Sequence, residues 1–194
     1  MTTKHLILPR HYFNQPTVEV ARSLIGKYLV RDDGQGPVAG RIIEVEAYVG
    51  PEDKACHASK GRTQRTDVLF GPAGMAYVYL IYGMYHCLNV VTESEGFPAA
   101  VLIRAIEIDG RLIDGPGRLC RELRIDRTLN RQDLTVRKSL WFEDRNSLSP
   151  MAVGAFPRIG VDYAGLWAQK LWRFRLQAGK ERSAKDRRTK KRLK

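Results

Sequence analysis

Apolar and polar positions follow two different rhythms along this chain. Between residues 16 and 28, Val18, Ala21, Leu24 and Ile25 recur near one helical face, with Pro16 at the start and Gly26 at the end. This pattern predicts a helix of about three turns that stops at Gly26. The period then shortens. Residues 28–31 and 38–45 read as extended segments, and Asp32-Asp33-Gly34-Gln35-Gly36 between them reads as a turn, so a β-hairpin is expected. Residues 75–81, 88–91 and 100–105 have the β-branched and aromatic content of further strands, and shorter ones are expected at 140–142 and 173–176. Gly71-Pro72-Ala73-Gly74 reads as a turn. Residues 114–123, opening at Gly115-Pro116-Gly117, read as a short helix.

Residues 49–70 break the pattern. They are polar, lack helical periodicity, and hold Pro51, His57, Gly61 and several charges. A loop this long in a compact domain is uncommon and is often functional. No internal repeat is present. The fold class expected is mixed α/β (α+β): a single domain with a mostly antiparallel, curved sheet flanked by short helices. It is expected to span residues 1–179, followed by a basic, disordered tail at 180–194 with almost no apolar residue.

Composition narrows the class. The chain has 194 residues, 43% hydrophobic and 28% charged, which suits one domain with a real core. A disordered chain, a collagen-like fibre and a small disulfide scaffold are excluded. No apolar stretch reaches the length of a membrane span, and the N-terminus has no apolar segment of the secretory type. Cys56, Cys87 and Cys120 are widely spaced, with no Cys-x-x-Cys pair, so reduced thiols and an intracellular location are expected. His5, His11, His57 and His86 show no metal-ligand spacing, and neither a metal nor a cofactor is expected.

Charge points to a partner. Lys and Arg number 33 against 21 Asp and Glu, a net charge of +12. Residues 180–194 hold nine basic and two acidic residues, so they supply +7 and the rest of the chain +5. Both parts favour a polyanion, although basic tails are often only solubilising.

Some residue types stand out against their surroundings. On a strand, Glu44, Glu46 and Tyr48 share one face. If that face is solvated nothing follows. If it lines a pocket, one Glu can serve as a general base. Four of the eight tyrosines (Tyr77, Tyr79, Tyr82 and Tyr85) fall within nine residues. They are either ordinary strand residues or a stacking surface for bases. Tyr82 precedes Gly83, where a turn can present it outward. His57 sits in the polar loop, an ordinary place for a histidine, or a third ring against a planar ligand. Arg104 lies in an apolar strand, so it either reaches solvent or pairs with a carboxylate such as Glu46. Asn89 must satisfy its amide if buried, through structure or through base recognition. Gly115-Pro116-Gly117-Arg118 is equally an anion-binding turn or a plain helix start. No phosphate-loop, dinucleotide or nucleophile-elbow motif occurs.

Taken together, several ordered stretches resemble the alkyladenine (3-methyladenine, or methylpurine) DNA glycosylase family. They are Tyr12-Phe13-Asn14-Gln15-Pro16-Thr17; Gly40 through Tyr48 with Glu44-Val45-Glu46-Ala47-Tyr48; Gly50-Pro51-Glu52-Asp53 followed by His57; and Tyr77 through Tyr85 with Cys87-Leu88-Asn89. Val101-Leu102-Ile103-Arg104-Ala105, Gly115 through Cys120 and Arg158-Ile159-Gly160-Val161 complete the set. The resemblance covers about residues 6–178.

The resemblance implies a monofunctional, cofactor-free DNA repair enzyme that acts on double-stranded DNA as a monomer. It flips damaged purines (3-methyladenine, 7-methylguanine, hypoxanthine, ethenoadenine) from the duplex and hydrolyses the N-glycosidic bond. By resemblance, Glu46 is the general base and Arg104 helps to hold the water. Tyr48, His57 and Tyr79 sandwich the base, Tyr77 holds His57, Asn89 discourages guanine, and Tyr82 fills the gap in the stack. Two departures stand out. The segment from Ile106 to Gly115 is shorter than in the family, and Lys170-Leu171-Trp172-Arg173 stands where Lys-Pro-Trp-Arg is frequent. The shortening is not expected to remove a pocket residue. Two other classes remain open: a nucleic-acid-binding protein without catalysis, and a small-molecule hydrolase with an acidic pocket.

Overall fold

The computed structural model describes residues 5–145 and 152–177. In chain order the elements are β1 (Leu6–Ile7), α1 (Arg10–Phe13), α2 (Thr17–Leu24), β2 (Tyr28–Asp32), β3 (Pro37–Val49), β4 (Ala76–Ile81), β5 (Tyr85–Val91), β6 (Ala99–Ile108), β7 (Arg111–Asp114), α3 (Pro116–Glu122), β8 (Leu140–Asp144), β9 (Val153–Phe156) and β10 (Arg173–Leu176). The strands form one antiparallel sheet with the order β1-β8-β2-β3-β6-β5-β4; β7 extends β6, and β10 joins β3 to β9. The mixed α/β single domain expected from the sequence is the fold observed. The basic segment 180–194 lies outside the described residues.

The thirteen-residue β3 organises the sheet. One edge pairs with β6. The other edge is shared: β2 takes residues 37–41 and β10 takes residues 44–46. The β3–β6 ladder carries two compensating irregularities. Ile42 faces Ile106, Glu44 faces Ala105 and Val45 faces Ile103, which leaves Ile43 and then Arg104 without a direct partner. Such bulges re-aim side chains and recur beside active sites. Here they fall where Glu44, Glu46 and Arg104 meet.

The helices cover one face of the sheet. Val20, Ala21 and Leu24 of α2 and Leu119 and Cys120 of α3 enter a core with Leu29, Ile42, Leu88, Ile103 and Phe142. The α2 helix stops at Leu24, earlier than the periodicity predicts, and Ile25 is already extended. Its N-terminus is capped from a distance: Glu93 Oε1 accepts hydrogen bonds from Thr17 N (2.7 Å) and Thr17 Oγ1 (2.8 Å). A carboxylate there satisfies a free N–H and complements the helix dipole. Glu93→Ala is therefore expected to lower stability by about 1 kcal/mol, read as an earlier denaturant midpoint at unchanged slope.

A smaller second cluster supports the long polar segment. Cys56, Ala58, Val68 and Leu69 pack on Tyr77, Val91 and Ala100, with Tyr48 and Tyr79 at the margin. Residues 49–70 are thus anchored, with 3-10 turns at His57–Lys60 and Asp67–Phe70. The segment after β6 is a tight hairpin: Ile108 pairs with Arg111 across Asp109 and Gly110, both left-handed. The Gly115-Pro116-Gly117 stretch is the start of α3. A Cβ on Gly117 would lie 3.0 Å from Tyr85 Cβ, so glycine lets the helix approach the β4–β5 hairpin closely.

Candidate active site

Alternation along β3 sends Glu44, Glu46 and Tyr48 to one face, and the structure buries that face instead of solvating it. Both carboxylates are almost fully covered, Glu46 completely. Glu46 Oε2 accepts from the Tyr48 hydroxyl (2.8 Å) and from Arg104 Nη1 (3.3 Å), and Oε1 accepts from the backbone N–H of Ile159 (2.8 Å). Glu44 holds the other side of the same arginine: Arg104 Nε donates to its Oε1 at 3.0 Å, and Arg175 Nη1 donates to its Oε2 at 2.8 Å. Of the two options for Arg104, pairing with a carboxylate is the one observed. Burial and the neighbouring Glu46 raise the pKa of Tyr48 well above its ordinary value, so its phenol stays protonated and donates.

In front of this cluster lies a cavity of about 310 Å³. Its lining includes Tyr48, His57, Tyr77, Tyr79, Tyr82, Asn89 and Arg104, so seven of the eight residues to which the family resemblance gives a role meet in one place, whereas Tyr85 does not line it. The eighth, Glu46, sits directly behind Tyr48 and Arg104. The aromatic wall is tightly built. His57 and Tyr79 meet edge to face with ring centroids 4.6 Å apart, and Tyr77 and Tyr79 lie 5.2 Å apart at 36°. His57 Nδ1 and the Tyr77 hydroxyl share a 2.9 Å hydrogen bond. Asn89 Nδ2 donates to the Tyr77 carbonyl at 3.1 Å, which fixes the amide at the cavity edge.

Tyr82 stands at the mouth. It is 85% exposed and left-handed (φ 52°), followed by Gly83 at φ 70°. The turn closes with Met84 N donating to Ile81 O at 3.2 Å. Two successive left-handed residues match the twist of a tight hairpin, but tyrosine is a poor residue for the first of them.

Burial pushes the His57 imidazole down to about 4, aided by the positive charges of Arg65 and Lys60. His57 is therefore neutral at neutral pH. Its pKa is lower in the folded than in the unfolded chain, so the unfolded state binds more protons between the two values. The contribution to stability is complete above the unfolded value, near pH 6.5, and is lost as pH falls toward 4. His57→Gln is expected to remove this dependence, which amounts to about 2 kcal/mol between pH 7.5 and pH 5. Urea unfolding of both proteins at the two pH values measures it.

Sequence reading passed over several residues that complete the site. Asp53 and Arg158 form a buried ion pair beneath Tyr48. Ile159 supplies the N–H on Glu46. Cys87 and the exposed Tyr163 also line the cavity. Asp53 and Arg158 both lie inside stretches that carry the family resemblance. Nothing local announces the ion pair, because its two members lie 105 residues apart. Among the described residues no group of three or more His, Cys, Asp or Glu is placed to hold a metal, and no helix is long and apolar enough to cross a membrane.

The cavity is thus an aromatic slot backed by a buried, hydrogen-bonded carboxylate. The sequence profile of the family described as Methylpurine-DNA glycosylase (MPG) matches residues 11–180 of the chain. Similar proteins carry the provisional name 3-methyladenine DNA glycosylase. The one from Methanocella arvoryzae is 52% identical over 184 residues, covering 87% of this chain and 91% of its own. That from Legionella pneumophila (strain Corby) is 53% identical over 170 residues, covering 86% and 92%. That from Myxococcus xanthus is 50% identical over 171 residues, covering 86% and 88%. The chain belongs to the methylpurine-DNA glycosylase family, whose members are DNA glycosylases.

Proposed function

We propose that the protein flips damaged purines out of duplex DNA into the cavity and hydrolyses their N-glycosidic bond with a water activated by Glu46, leaving an abasic site. The observation that carries this reading is the Glu46–Arg104 pair: Glu46 is fully covered by protein, and Arg104 lines a cavity walled by Tyr48, His57 and Tyr79. Binding alone has no use for a buried carboxylate held by three donors.

Each residue has a part in the proposal. Tyr48 closes one face of the base, with His57 and Tyr79 opposite. Tyr77 keeps the His57 ring in place through the bond between its hydroxyl and Nδ1. Asn89 sits at the edge, where the extra amino group of guanine collides. Tyr82 fills the space the base vacates. As the bond to the base weakens, positive charge grows on the sugar. The Glu46 carboxylate stabilises that charge and takes the proton of the attacking water. Its contact with Arg104, at 3.3 Å the longest of the three, is where the water enters, so Arg104 holds the water as it reacts. A cationic lesion such as 3-methyladenine or 7-methylguanine leaves readily, whereas hypoxanthine or ethenoadenine gains from protonation on leaving. No lysine nucleophile takes part, so the strand is not cut. One pocket for one base suits a monomer acting without a cofactor. The catalytic unit is residues 1–179, and the basic residues 180–194 add sequence-independent attraction to phosphates.

Duplexes with a single hypoxanthine or ethenoadenine, and methylated DNA, test the reading. Lesion-dependent strand breaks that form only after hot alkali support it. Intact DNA on all three substrates, with lesion binding retained, gives the lead to a binding module.

A further inference from the structure

Asp53 and Arg158 are both 0% exposed at the side chain and are joined by two hydrogen bonds, Nη1 to Oδ2 at 2.6 Å and Nη2 to Oδ1 at 2.8 Å. The pair reaches in four directions. Arg158 Nη1 also donates to Ala47 O on β3 (2.9 Å), and Nη2 donates to Trp167 O in the 3-10 turn Asp162–Gln169 (3.0 Å). Asp53 accepts the N–H groups of Val49 and Ala55, both at 3.1 Å. The guanidinium carbon lies 4.8 Å from the centroid of the Tyr48 ring and 5.2 Å from that of Trp172. The residue after Arg158 is Ile159, whose N–H bonds Glu46.

We propose that the Asp53–Arg158 pair is the positioning device of the active site, fixing the Tyr48 ring and the Ile159 N–H on Glu46 at once. The inference rests on the glycosylase reading given above. A buried ion pair is weak as a stabiliser, because well-packed apolar residues of similar volume often hold a fold equally well. What apolar residues do not supply is direction. The planar fork of Arg158 orders the carbonyl of Ala47, the carboxylate of Asp53 and the carbonyl of Trp167 in one plane-directed set of bonds. Tyr48 follows Ala47 in the chain, and Ile159 follows Arg158. A shift of the fork therefore moves the stacking ring and the Glu46 hydrogen bond together. His57 lies four residues beyond Asp53, so the same carboxylate also anchors the loop that carries the opposite wall.

The test separates position from stability. Asp53→Leu/Arg158→Met replaces both charges by apolar groups, and Arg158→Lys keeps the charge but loses the fork. Each is compared with wild type and Glu46→Gln for single-turnover release of base from an ethenoadenine duplex, scaled to the folded fraction from circular dichroism. Both variants are expected to fall about 100-fold in rate per folded molecule, with the double variant as slow as Arg158→Lys even where it melts as high as wild type. The half-saturating enzyme concentration should rise with the loss of Tyr48 alignment. Release by the folded double variant within about threefold of wild type overturns the positioning role and leaves the glycosylase reading intact. Absence of release by wild type from ethenoadenine, hypoxanthine and methylated DNA alike overturns the glycosylase reading and the inference with it, and equal release by Glu46→Gln overturns the role of Glu46 and the positioning inference built on it.

Discussion

Glu46→Gln is expected to lower single-turnover base release by about 1000-fold while keeping affinity for a lesion duplex within about threefold of wild type. The size follows from the group removed. A positioned general base contributes about 100- to 10,000-fold, and the lost negative charge no longer steadies the cationic sugar. Affinity should survive because the covered carboxylate is not part of the cavity lining, the surface that the proposal has the flipped base meet. The fold should survive as well. The amide oxygen can keep the Ile159 N–H, and the new amide N–H₂ can donate to the Tyr48 oxygen if that hydroxyl turns. Arg104 keeps Glu44 as a partner at 3.0 Å. Titration of lesion duplex by fluorescence anisotropy and quenched-flow base release give the two numbers. A large loss of both would mark Glu46 as structural.

Tyr82→Gly is expected to move stability and activity in opposite directions. Tyr82 is 85% exposed, so its side chain gives the core nothing, and its left-handed backbone (φ 52°) is costly for a residue with a Cβ. Glycine relieves that cost, and the melting midpoint should rise by an amount equivalent to up to about 1 kcal/mol. Activity should fall. The stack resists the loss of a base by a few kcal/mol, and an aromatic side chain in the gap returns about 1–3 kcal/mol. A drop of about 30-fold in the rate on a paired lesion is expected, and much less on a lesion that is already unpaired. A tyrosine kept for the turn itself would give the reverse: lower stability with unchanged chemistry. Strain held at an exposed tip is intelligible when the tip is used.

Much of this was legible in the chain. The hairpin of residues 28–45, the strands at 75–81 and 88–91, and the alternation that groups Glu44, Glu46 and Tyr48 follow from local pattern, because each is decided by neighbours two to four residues away. The strand β7 is not anticipated: Arg111–Asp114 has too few residues to show a period, and the only local signal for it is Asp109-Gly110, a pair that favours a two-residue hairpin. The strand β9 and the pairing of β10 with β3 depend on long-range register that no local pattern encodes. The same holds for the central question about Glu46. Whether its face is solvated or buried is decided by residues 158–161 and 173–175 arriving from the far end of the chain. The bulge that turns Arg104 toward both glutamates is invisible as well, since it is a mismatch between two strands and belongs to neither alone.

The most direct test of the account follows a single ethenoadenine, whose fluorescence reports its stacking, in a duplex mixed with wild type or Glu46→Gln. Both proteins should change the fluorescence rapidly as the base leaves the stack and enters the cavity. Only wild type should then release free ethenoadenine and leave a site that hot alkali cuts. Release by Glu46→Gln at the wild-type rate, or release by wild type with no preceding unstacking signal, would contradict the account.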